Sequence, residues 1–441
     1  MAGRIVLGSI LPLGALSPNT VIVLIRSTGE SRHMRKGIVF AIALAPLLGS
    51  VLVGPSAGAQ GQTVTLFGHQ APTPAVPPLS ALPGDVGQLV TTNSNTYLLS
   101  DGTIWSMGAN GQGELGNGTV DKTAWDIAPT EVTFKSKSPV DIVSLATVGP
   151  DGTEMATDSR GHVWGWGWNS FGQLCLGNTV IQPTPVRLPF TDVDGSLVVG
   201  AGDHASYYGV DSKVTTNPAL YSCGGNAKGE LGDGKFANSD SLFPQMVVGL
   251  PDEPVTALTA AWGTTGAVMQ DGSLWVWGYN ANGELGIGTD SGPDSCYEGV
   301  PCSTTPRHVN LEAGVTEAAQ GGGAAKDGQT IVTLANQTTW AWGNDKWGQL
   351  CDDTVTPTVD SPEPVPEPAG GTWTAVASGG DTDYLVDTTD TAQTLWACGD
   401  NSQSQFGNGT AGGKSSTPVQ LPYEQVDAVS STNFNGAVLT G

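Results

Sequence analysis

The thirteen residues from Leu274 to Gly286 read "LWVWGYNANGELG". Trp275 and Trp277 stand two apart, and residues two apart on a strand share a face, so both rings project to one apolar side. Gly278 closes the strand, Asn280 is placed to bond the backbone of its own loop, and Leu285 plugs that loop. Upstream, "GAVM" from Gly266 is a second apolar strand, joined through Asp271-Gly272, a pair that turns cheaply through φ > 0. The stretch therefore reads as a β-hairpin followed by a polar loop.

The same phrase recurs as "IWSMGANGQGELG", "VWGWGWNSFGQL", "LYSCGGNAKGELG", "TWAWGNDKWGQL" and "LWACGDNSQSQFG". The shared glycine falls at Gly108, Gly167, Gly224, Gly278, Gly343 and Gly399, at intervals of 54 to 65 residues, the length of one small sheet. Two positions after it stand Asn110, Asn169, Asn226, Asn280, Asp345 and Asn401, and the plug is Leu115, Leu174, Leu231, Leu285, Leu350 or Phe406. A proline-marked segment follows in each unit, as in "TPVRLP" from Thr184 and "TPVQLP" from Thr417. Near the start, "TVTLFGHQAPTPAVPPL" has Phe67-Gly68 in the strand position and Thr73 to Pro77 in the proline position, a seventh copy without its polar loop. At the other end, Val426 to Gly441 supplies the strands that precede such a phrase and then stops. The two ends are expected to complete one sheet, Val64 to Phe67 beside Ala437 to Leu439, which leaves no open sheet border.

This pattern, W-x-x-G-x-N-x-x-G-[EQ]-L, resembles the regulator of chromosome condensation repeat family. The resemblance covers Gln60 to Gly441 and implies an all-β fold, a seven-bladed β-propeller closed by pairing of its N- and C-terminal strands. It does not carry function with it. The founding member exchanges guanine nucleotide on a small GTPase and docks on chromatin. Secreted bacterial relatives inhibit β-lactamases with aromatic loop residues, but their repeats are shorter than these.

The chain has 441 residues with 62 Gly and 29 Pro, a turn-rich composition, and its 13 Trp argue for a packed core. Met34-Arg35-Lys36, the apolar run Gly37 to Gly54 and Ala57-Gly58-Ala59 follow the grammar of a secretory signal peptide over 34–59. Cleavage is expected before Gln60, residues 1–33 are an extension that leaves Met34 as a candidate start, and 60–441 is one propeller domain. From Gln60 on, 12 basic face 40 acidic side chains, a balance that repels phosphate backbones and argues against a nucleic-acid partner. The mature protein is expected to be extracellular, monomeric and without stable membrane insertion.

Six cysteines in an exported chain imply disulfides. Cys175 and Cys351 each lie eight after a motif glycine, and Cys223 and Cys398 each lie one before the next. The recurring offsets predict Cys175–Cys223 and Cys351–Cys398 between adjacent blades, with Cys296–Cys302 stapling a loop in "CYEGVPC". Metal ligation is the competitor, but neither clustered His nor a C-x-x-C pair supports it.

His69, His162, His204 and His308 fall in different units, so no catalytic triad or metal grammar emerges. In the resembled family the position of His204 often holds a structural histidine. "QGGGAA" from Gln320 lacks the Lys-Ser/Thr of a phosphate loop, and Asp192 to Gly195 begins a calcium loop without its distal Glu. Asn117-Gly118-Thr119 and Asn408-Gly409-Thr410 fit a glycosylation pattern, yet they belong to the repeat turn. No cofactor is expected.

Binding is expected instead at loop aromatics beside the motif glycine: Trp168, Phe171, Tyr279 and Trp347, with the Cys296–Cys302 loop. Rigid rings of this kind carry much of interface affinity, although each also suits packing on its own blade. The expected role is a scaffold that binds a protein or a cell-surface glycan and inhibits, in one version, a secreted hydrolase. The alternative is a carbohydrate-active enzyme using acidic residues.

Overall fold

The tryptophan phrase is the third strand of a four-stranded antiparallel sheet, and this unit repeats around the molecule. In the computed structural model the described residues are 62–68, 79–146, 152–189, 198–201, 204–210, 219–322, 328–368, 371–388, 393–432 and 435–441. The signal-peptide reading, Thr73 to Pro77, Asp192 to Gly195, His69 and most of the Gly-rich run after Gly322 lie outside them. All described residues fall within one compact unit, 45–441.

Blade 1 consists of Val86–Thr91, Asn95–Ser100, Thr103–Asn110 and Asp121–Glu131, hydrogen-bonded in that order. Blades 2 (142–187), 3 (198–246), 4 (255–308), 5 (315–364) and 6 (373–424) repeat the order, and blade 4 adds Asp294–Ser295 outside its fourth strand. A further three-stranded sheet joins Val426–Thr432, Asn435–Thr440 and Thr63–Gly68. Each blade lies against the next, and Val426–Thr432 lies against both blade 6 and blade 1. The architecture is an all-β propeller.

One register runs through all the sheets. The motif glycine pairs with the start of the second strand, Gly108 with Asn95, Gly278 with Thr264 and Gly343 with Gln329. In the terminal sheet Gly68 pairs with Asn435, and Val64 and Phe67 pair with Leu439 and Gly436. Phe67, Val426, Val429 and Val438 share a core cluster with Tyr384 and Phe406 of blade 6. Val64, Ala428, Ala437 and Leu439 share another with Val86, Leu89 and Met107 of blade 1. Thr91 N–H also donates to Ser430 Oγ at 2.9 Å.

The two tryptophans of a phrase have different duties. Trp166, Trp277 and Trp342 are fully buried, and their indole N–H groups donate across the blade boundary to the carbonyls of Glu114, Glu230 and Glu284 at 2.9, 2.7 and 2.9 Å. The outer rings bond locally: Trp275 and Trp340 are half-buried and donate to Ser273 Oγ and Thr338 Oγ1, while Trp164 is buried and donates to Asp158 Oδ2 at 3.0 Å.

Each fully buried ring is received by a glycine of the preceding blade, eight residues after its motif glycine. A Cβ on Gly286 would sit 2.6 Å from Trp342 Nε1, and its φ of +59° already disfavours any side chain. Gly116 and Gly232 receive Trp166 and Trp277 in the same way, and Gly407 receives Phe67. In blades 2 and 5 that position is Cys175 or Cys351, and the facing residue is Cys223 or Cys398, joined as disulfides. Six successive joints thus use one of two solutions, glycine under an aromatic ring or cysteine bonded to cysteine. Cys296–Cys302 closes a loop in blade 4.

The outer edges carry the proline segments. Pro129, Pro185, Pro244, Pro306, Pro362 and Pro418 lie in or at the fourth strands, where a missing N–H discourages pairing with another chain.

Candidate functional site: the loop face

The loop after each motif glycine is fixed by two side chains. In blade 4, Asn280 Oδ1 accepts the Leu285 N–H at 2.9 Å while its Nδ2 donates to the Thr289 carbonyl at 2.7 Å. Glu284 Oε2 accepts the Asn282 N–H at 2.8 Å. Blade 2 repeats this with Asn169 to Leu174 and Asn178, and Gln173 to Phe171. In blade 5, Asp345 has no amide to donate and instead accepts from Thr356 N–H at 3.0 Å. Asn117 and Asn408 accept from Thr119 and Thr410 within their turns.

These bonds pin the residue four after the glycine: Phe171, Lys228 or Trp347. From that position it reaches the neighbouring blade. The Phe171 ring stacks on His204 at 4.0 Å between centroids, and Trp168 stands edge-on to both at 5.2 and 5.9 Å. His204 belongs to the turn between the first two strands of blade 3. One joint further on, Lys228 Nζ lies 3.5 Å above the ring of Trp262, in the corresponding turn of blade 4, and 5.9 Å from that of Tyr279. A cation placed over an aromatic face is attracted by the ring quadrupole. His204 and Lys228 both act on Glu230 beneath, whose carboxyl is raised by burial and lowered by Lys228.

The structure therefore gathers Trp168, Phe171, His204, Lys228 and Trp262 into a shelf across blades 2 to 4. Trp347 stands apart at the joint of blades 5 and 6, with the ammonium groups of Lys346 and Lys414 at 5.4 and 5.6 Å from its ring. Tyr279 is a correction to the sequence expectation: it ends the third strand of blade 4, is 5% exposed and supports the shelf from below. Trp262 is not legible from the sequence because its turn lies at variable distance from the motif glycine, and Lys228 is not an aromatic. The shared four-residue offset of Phe171, Lys228 and Trp347 is the signal that finds the first of them.

Carboxyls near these loops are buried and their pKa values rise accordingly. Burial raises Glu284 to about 7 and Asp345 to about 6. It likewise raises Glu317 and Asp383 to about 7, against hydrogen bonds from Val376 N–H and from Gln329 with Ser378. These values exceed those of ordinary carboxyls, 4.5 and 3.8, so between about pH 4 and pH 7 these four groups hold more protons in the folded chain than in the unfolded one. The stabilisation is complete below the unfolded values and is lost as pH rises through the folded ones. Melting measured at pH 5 and pH 8 is expected to give the higher Tm at pH 5, by several degrees.

Fold and loop face define a β-propeller built from tryptophan-glycine repeats and carrying an aromatic shelf. Residues 160–207 and 271–324 match the family model of the regulator of chromosome condensation (RCC1) repeat. The chain is similar to the Ultraviolet-B receptor UVR8 of Arabidopsis thaliana, 25% identical over 276 residues that cover 62% of this chain and 56% of that protein. It is similar also to the X-linked retinitis pigmentosa GTPase regulator of Mus musculus, 27% identical over 161 residues, 36% of this chain and 15% of that protein. It thus spans about half the length of the plant relative and less of the mouse one. Among solved structures, human WBSCR16 gives a TM-score of 0.70 at 19% identity, covering 86% of this chain and 99% of that one. Yeast RCC1 (Prp20), solved with Kap60 bound, gives 0.69 at 17% identity, covering 94% and 96%. These likenesses show the fold.

Proposed function

We propose that this chain is a secreted, non-catalytic, seven-bladed propeller that binds a partner protein through its loop face. The observation that carries the reading is the stack of Trp168, Phe171 and His204, half-exposed rings held by a hydrogen-bonded loop on a rigid scaffold. Such pre-ordered rings bind with little further loss of side-chain freedom. Protein binding also fits a relative of this fold: the structure of Prp20p from Saccharomyces cerevisiae was described with its binding to Gsp1p and histones.

Secretion is supported by three disulfides among the described residues. No helix among those residues is long and apolar enough to cross a membrane, which says nothing of strands. The seventh blade is the terminal sheet, supported by its shared register and by its cores with blades 6 and 1. Inhibition of a secreted hydrolase is one form of the proposed binding.

Substituting Trp168 and Trp347 with alanine is expected to abolish capture of the partner from culture medium or cell walls at temperatures where the variant stays folded, with Tm lowered by a few degrees because the Trp168 ring also packs on Phe171 and His204. Undiminished capture would reject the loop face. Release of products from cell-wall or plant polysaccharides would instead favour a glycan-cleaving enzyme.

A further inference from the structure

The repeats provide an internal control for the outer strands. The third residue after the edge proline is buried in every blade, as Val132, Leu188, Val247, Val309, Val365 or Leu421. The residue before it is small elsewhere, namely Ala128, Thr184, Thr305, Ser361 or Thr417. Blade 3 alone departs, with Phe243 in that place, 64% exposed, and Met246 two after the proline, 52% exposed. Five blades fold without a large apolar side chain in the first position; in blade 3 the Phe243 ring lies against Gly177 of blade 2 and is still 64% exposed.

Met246 also borders a pocket of about 210 Å³ lined by Leu220, Val247, Leu250 and Val255. Asp252 and Glu253 are the charged residues among its described lining. The volume is below the roughly 300–1,000 Å³ of drug-sized ligand sites; it suits one large side chain. Methionine adapts its shape to such a guest.

We propose that this rim of blade 3 docks a segment of a partner protein in which one large apolar side chain is flanked by lysine or arginine. The apolar group enters the pocket beside Met246, and the cations meet Asp252 and Glu253. A second copy of this chain is a poor occupant, since its net charge of −24 opposes an acidic rim. The proposal is independent of the loop-face reading.

The test is fluorescence anisotropy with the full chain and a labelled peptide carrying one leucine between two lysine-arginine pairs. Saturable binding is expected, weakened about tenfold, or 1.4 kcal/mol, when the leucine becomes serine, by Met246→Asp, and by Asp252→Asn with Glu253→Gln. The carboxylate double variant carries the test independently of how Met246→Asp folds, and Trp168→Ala should leave binding unchanged. Equal binding of the serine peptide would overturn the proposal by reducing it to general attraction to an acidic protein. Failure of the leucine peptide to bind would overturn it too, as would a dimer dissolved by Met246→Asp, which would assign the patch to a second copy.

Discussion

Replacing Trp342 with alanine is expected to lower the unfolding free energy by about 3–5 kcal/mol, the range for truncating a buried tryptophan. The ring is fully buried in the joint between blades 4 and 5, and its indole N–H donates to the Glu284 carbonyl, so the change opens a cavity and removes that bond, leaving the carbonyl only the longer one from Thr330 Oγ1. Gly286→Ala should damage the same joint from the other side, because its Cβ would meet the ring and its φ is +59°. The decisive variant makes both residues cysteine. If the two joint types are alternatives, Gly286→Cys with Trp342→Cys forms a disulfide under oxidising conditions and recovers most of the loss, as at Cys175–Cys223 and Cys351–Cys398. A linkage closing a loop of this length is worth roughly 3–4 kcal/mol by chain entropy. Urea unfolding with and without reductant reads the outcome, and failure of the pair to crosslink would separate the two joint types.

Removal of residues 62–68 should have an effect of similar size. The strand places Val64 and Phe67 in two different cores, and losing two buried side chains forfeits about 3–6 kcal/mol. It also exposes the bonding edge of Asn435–Thr440, so faster aggregation on heating is expected along with the lower Tm. A truncated chain that melts and aggregates no differently from the full one would show that the strand does not seal the ring.

Much of this was legible in the sequence because the repeat imposes one register on many sheets. The asparagine two after the glycine, the leucine plug and the cysteine offsets each name a contact that recurs, and the structure realises them at Asn169, Leu174 and Cys175–Cys223 alike. Contacts between blades were harder to read. His204 lies 20 residues before Gly224 and Trp262 lies 16 before Gly278, so the turns that meet Phe171 and Lys228 do not align by spacing. Tyr279 looked like a loop residue because it follows the motif glycine. The strand continues through it, and Lys228 lies over it. Phe243 was hidden for a simpler reason: exposure depends on which face of an edge strand a residue takes, and the edge proline is flanked by register shifts.

The central claim is that the two ends of the chain form one sheet. Amide hydrogen exchange of residues 435–440 tests it most directly, since this strand lies between Val426–Thr432 and Thr63–Gly68 and alternate amides face each neighbour. The account predicts slow exchange at both sets of amides, with the set facing Thr63–Gly68 becoming fast once 62–68 are removed. Fast exchange of that set in the intact chain would contradict it.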